Sequence, residues 1–70
     1  MALAMLAPGQ SAVIQDIRGK EEVKRHLQNL GFVKGETVQI LSENSSGLIL
    51  LIKEVRIALN RSLALKILVA

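Results

Sequence analysis

The single histidine, His26, follows Glu22 by four residues. On a helix that spacing sets the two side chains side by side, where an imidazole and a carboxylate can offer two ligands to a divalent metal. Two ligands are half of a tetrahedral set, and there is no cysteine to help complete it. The simpler reading of Glu22 and His26 is a helix ion pair. The expectation is therefore no resident cofactor, with weak divalent transition-metal binding at this pair as the alternative.

Gly31 and Gly35 raise a second chemistry, that of phosphate. A phosphate-cradling loop needs G-x-x-x-x-G-K-[ST] between a strand and a helix. The two glycines are one residue too close for it. Glu36 occupies the lysine position, and its charge would repel phosphate. As G-x-x-x-G, the pair would need an apolar membrane helix around it, and Phe32-Val33-Lys34 is not one. The serines, Ser11, Ser42, Ser45, Ser46 and Ser62, sit in polar or turn settings without a nucleophile elbow. Asp16 has no evident carboxylate partner. No catalytic role is expected.

Arg18, Arg25, Arg56 and Arg61 could meet phosphates of a nucleic acid, and the formal net charge is +3. The basic residues are mixed with acidic ones, however, and Lys24-Arg25-His26 is the longest cluster. Small barrels that hold single strands stack bases on aromatic rings, and this chain has one aromatic residue, Phe32. Nucleic acid is not favoured as a partner.

The elements that would carry these residues can be read from pattern. Pro8-Gly9 is a turn that closes a possible single helical turn over Leu3 to Leu6. Residues 11–17 read as a strand whose alternation leaves the inward face open, with Ala12, Ile14 and Asp16 on one side and Val13, Gln15 and Ile17 on the other. Residues 20–30 read as a helix with a narrow stripe of Val23, Leu27 and Leu30. Glu21 and Glu22 suit its positive end, and Glu21–Arg25 and Glu22–His26 are spaced to pair.

Gly31 falls where a helix ends in the left-handed conformation, and Phe32 where a hydrophobic residue folds back on that end. Residues 33–36 read as a β-turn with Gly35 at its positive-φ position. Val38 and Ile40 alternate with Thr37 and Gln39 in a second strand. Residues 43–47 read as a loop and residues 48–52, "LILLI", as a central strand. Residues 53–55 reverse the chain into a strand over 56–59. Asn60-Arg61-Ser62 breaks it and opens one short turn through Leu63 and Ala64, before a closing strand over 65–70. About five strands with one α-helix inserted between the first and second predict a mainly β, SH3-like barrel in a single domain over residues 1–70; an OB-type barrel is the alternative.

Seventy residues, half of them hydrophobic, make a thin core of Leu, Ile, Val and Ala. Some apolar surface is expected to stay outside and to mark a contact face. The partner-binding candidates are Leu48 and Leu50 from the "LILLI" strand, Leu65 from the closing strand, and the basic residues Lys34 and Arg61 for steering. No run approaches the length that spans a bilayer, and the N-terminus lacks the features of a secretion signal. A soluble, cytoplasmic protein is expected.

The ordered set of Leu6, Pro8-Gly9, Leu27, Leu30-Gly31, Gly35, Ala58-Leu59, Arg61, Ala64 and the final "KILV" spans nearly the whole chain. It resembles the FeoA family, ferrous iron transport protein A. On that resemblance Gly9, Leu27, Leu30, Gly31, Gly35, Leu59 and Ala64 are structural signature residues. The resemblance implies an SH3-like barrel without catalysis, a small cytoplasmic accessory protein. It would act with a membrane ferrous-iron permease that carries a G-protein domain on its cytoplasmic side. Similar barrels form the C-terminal domain of iron- and manganese-dependent repressors. This chain starts at Met1 without DNA-binding helices, so the stand-alone form fits better. Two features depart from the family: Lys53-Glu54-Val55 replaces a hairpin glycine, and the "ENSSG" loop is short and lacks a proline before the strand. A nucleic-acid-binding barrel and a stand-alone metal-sensing domain are the alternative functions, and homo-oligomerisation is open.

Overall fold

The first strand solves its ambiguous alternation with a bulge. In the computed structural model, which describes residues 1–70, β1 runs Ser11–Ile17. Its first half pairs with β2 (Thr37–Glu43) and its second half with β5 (Ile67–Val69). The β5 register slips between Ile14 and Asp16, so Ile14 and Ile17 both face inward, although three residues apart. Asp16 is left outside, where its carboxylate accepts a hydrogen bond from the Ile17 N–H at 2.9 Å.

α1 spans Glu21–Leu30, with both glutamates in its first turn. Of its stripe, Leu27 is fully buried and Val23 packs on the core, whereas Leu30 is 36% exposed. Ten residues over a small sheet reach the core at essentially one turn. Neither Glu21–Arg25 nor Glu22–His26 pairs; Glu21 instead meets Lys24 at 3.9 Å, one of several competing geometries on a solvated face.

The helix ends as the glycine requires. Gly31 has φ 111°, its N–H donates to the Gln28 carbonyl, and the Phe32 N–H donates to the Leu27 carbonyl at 3.0 Å. This pattern closes a Schellman motif, with Phe32 folded into the core beside Leu27. Two residues later the Glu36 N–H donates to the Val33 carbonyl, with Gly35 at φ 93°, a type II turn.

β2, β3 (Gly47–Ile52) and β4 (Val55–Asn60) form an antiparallel meander. The loop shrinks to residues 44–46 because the strands extend into the expected "ENSSG" segment. A second bulge lies between Ile40 and Ser42. Asn60 caps α2 (Arg61–Ala64), its side-chain oxygen accepting from the Leu63 N–H at 2.8 Å. The tail of that turn occupies Leu65 and Lys66, so the closing strand starts at Ile67 rather than at residue 65. A 3-10 turn over Leu3–Met5 packs against α2 and β5.

The result is a five-stranded SH3-like sheet in the order β4-β3-β2-β1-β5, curled round fifteen buried apolar residues. They include Leu3, Ile14, Leu27, Phe32, Leu50, Leu59 and Ala64, and no buried side chain is polar or charged. The two outermost strands do not pair with each other. The β5 edge is covered by the N-terminal segment, through an Ala2–Leu68 bridge and a Val69 N–H to Met1 carbonyl bond of 2.8 Å. No helix is long and apolar enough to cross a membrane.

Candidate docking surface

Packing decides which of the apolar candidates are available. Leu48 and Leu50 point into the core, with Ile52 beside them, and are essentially inaccessible. They are corrected here from contact residues to core residues. β3 is flanked on both sides, so its alternate side chains must line the interior, and only Ile49 and Leu51 reach the outer face, half-buried. Leu65 is different. It follows the last residue of α2 and is 52% exposed.

The neighbouring element adds a residue that pattern reading overlooked. Met5 ends the 3-10 turn that packs against α2, and it is 68% exposed while Leu3 and Leu6 beside it are buried. A one-turn helix can direct only part of its apolar content inward. The signal was present in the run "MALAML", which is too short for all of its large residues to share one buried face. Arg61 begins α2 and completes this pole with a positive charge. Its guanidinium lies 3.5 Å from a Glu43 carboxylate oxygen, with both groups partly solvated, so the charge stays accessible.

Lys34 stands elsewhere. It is exposed in the type II turn and borders an open groove of about 350 Å³ with Asp16, Glu21, Lys24 and Gln28. The two carboxylates and two ammonium groups balance there, so the groove has no strong sign. Arg61 and Leu65 thus lie four residues apart at α2, Met5 ends the 3-10 turn packed against α2, and Lys34 has a different set of neighbours.

Glu22 and His26 are both exposed on the solvent face of α1, unpaired. No group of three or more His, Cys, Asp or Glu side chains is placed to hold a metal ion. Phe32 is wholly buried, so no aromatic ring is presented to a nucleobase. Arg18, Arg25, Arg56 and Arg61 are all exposed but are dispersed, in the connection after β1, on α1, on β4 and on α2.

The architecture has close relatives of known structure. An iron uptake regulatory protein (FeoA) is 27% identical, with 99% of this chain and 93% of that one aligned at a TM-score of 0.92. FeoA of Stenotrophomonas maltophilia, solved with zinc, is 34% identical over 100% of this chain and 89% of its own, at a TM-score of 0.81. It is described as an SH3 domain protein, for which a role as a bacterial ferrous iron transport activating factor has been suggested. A manganese-dependent transcriptional repressor shares the fold alone, at 15% identity and a TM-score of 0.90, over 100% of this chain and 40% of its own. No curated protein matches the chain. The overall fold is thus a shared scaffold, and the FeoA domain model matches residues 1–70 throughout: the chain belongs to the FeoA family.

Proposed function

We propose that this protein is a non-catalytic accessory component of ferrous iron uptake. It docks on the cytoplasmic G-protein domain of a membrane ferrous-iron permease and modulates it from the inner face of the membrane. The observation that carries the reading is the pole formed by the 3-10 turn and α2. Met5 and Leu65 stay outside the core, and Arg61 of the same α2 segment, half-solvated beside Glu43, adds a charge that can engage a polar rim. Exposed apolar side chains next to a charge fit a contact with a hydrophobic centre and a polar rim. The family relationship supports ferrous iron uptake as the process.

Binding of the purified protein to the permease's cytoplasmic domain tests this. Exchange of both Met5 and Leu65 for serine should weaken capture by about tenfold or more, as expected for apolar residues central to an interface. Raising the salt should weaken the wild type through Arg61. Equal capture of the wild type and the double variant, or no capture of either at low salt, would overturn the assignment.

A further inference from the structure

The two ends of the sheet are treated differently, and that asymmetry points to a second interface. β5 has its outer edge covered by Met1 and Ala2. β4 pairs with β3 on one side only. Its six residues run without a bulge, and none is proline. Arg56 is its sole charge. None of the devices that normally blunt a free edge is present beyond that one arginine.

The hairpin geometry says which backbone groups are unused. Ile52 pairs with Val55 across the two-residue turn at Lys53 and Glu54, so Val55, Ile57 and Leu59 direct their N–H and C=O groups to β3. Arg56 and Ala58 direct theirs outward. No loop, cap or side chain of the chain bonds to these outward groups.

The side chains on the core side of the same edge are also incompletely covered. Val55 is 56% exposed and Ile57 only half-buried, although both alternate with the solvent-facing Arg56 and Ala58. They are apolar residues on the inner face of a sheet that stops one strand too early.

We infer that β4 is the site of self-association, pairing antiparallel with β4 of a second copy about a two-fold axis at Ile57. In that register Arg56 faces Ala58 of the other copy, and the outward groups of these residues form four main-chain hydrogen bonds. Ile57 meets its own equivalent, and Val55 meets Leu59 of the second copy. Both are non-hydrogen-bonded pairs, in which side chains approach most closely. No charge lies directly opposite its like. One continuous ten-stranded sheet results. The strip is narrow, so the dimer is weak and concentration-dependent.

Sedimentation velocity over a concentration series, together with amide exchange followed by NMR, tests the inference. The wild type should move from one copy towards two as concentration rises. The Arg56 and Ala58 amides should gain protection with it, while those of Val55, Ile57 and Leu59 are protected throughout. Ala58→Pro removes an outward donor that β3 does not use, and Val55→Glu charges the inner strip at an exposed position. Each should weaken association by about tenfold or more with the circular dichroism unchanged. A monomer at every concentration, a dimer that leaves the Arg56 and Ala58 amides unprotected, or a dimer that survives both variants would overturn it. Protection of these amides by a strand of another protein and not by self-association would equally reassign the edge.

Discussion

Replacement of Gly47 by alanine is the one glycine-to-alanine change in this fold that drives a Cβ into main-chain atoms. Gly47 opens β3 and is buried against β4. Its φ of 157° is one that residues with a Cβ rarely adopt, so alanine there is strained as well as crowded. Its added Cβ would overlap the Leu59 carbonyl oxygen, and it would lie 2.8 Å from the Asn60 Cα and 3.1 Å from the Leu59 carbonyl carbon. All three atoms are main chain and none can rotate away. The first residue of β3 must therefore lift off β4. That movement breaks the two main-chain bonds between Asn44 and Gly47, of 2.9 and 3.3 Å, and the 3.0 Å bond from the Gly47 N–H to the Asn44 side chain.

Two to three such bonds are worth about 1 kcal/mol each, and partial exposure of Leu48 and Leu59 adds about 1 kcal/mol more. The expected loss from contact alone is about 3 kcal/mol, a fall in Tm of about 20 °C for a domain of this size, with the torsional cost on top. The control is Gly35→Ala, where φ is 93° and no atom lies within 4 Å of the new Cβ. There the cost is torsional, about 1–2 kcal/mol. Thermal and urea unfolding followed by circular dichroism measure both. A Gly47→Ala variant no less stable than Gly35→Ala would refute the reasoning from backbone contact.

The hairpin at Lys53 and Glu54 has φ values of 50° and 66° without a glycine. Exchange for Asn-Gly should stabilise by about 1 kcal/mol, after loss of the half-solvated Lys53–Glu36 pair at 3.8 Å, and a lower urea midpoint would contradict this. Leu50→Ala should cost about 2–5 kcal/mol and Leu65→Ser about 0.5 kcal/mol or less, measured by the same unfolding curves; similar losses would contradict the assignment of one to the core and the other to the surface. Titration with Fe(II), Mn(II) or Zn(II) should give equally weak binding in wild type and His26→Ala, and a clear loss in the variant would restore a metal site at Glu22 and His26.

The local parts of the fold were legible because their causes are local. A stripe at helical spacing, a glycine directly after it and a glycine two-thirds of the way through a turn each carry their geometry with them. β1, read from a seven-residue run, has the boundaries expected of it. Its inward face was illegible because the bulge after Ile14 is imposed by β5, more than fifty residues away in sequence. The same holds for Leu48 and Leu50. An all-apolar run does not reveal which half it hides until its neighbours on both sides are known. Leu30 misled in the opposite sense, since it shares the stripe with Leu27 yet stays exposed in the last residue of α1. Of the residues in the proposed docking pole, Arg61 and Leu65 are legible as candidates in the sequence. Met5 is not, because its exposure depends on how a short turn sits on α2.

β1 answers to two masters at opposite ends of the chain. The meander of β2, β3 and β4 joins residues close in sequence through short turns. The second half of β1 has no ladder until Ile67–Val69 exist. Until Ile67–Val69 dock, Ile14 and Ile17 lack the strand that covers their half of β1, whereas the meander can settle from local pairings. Closing so long a loop is entropically slow, so refolding should be limited by this last docking and not by the hairpins.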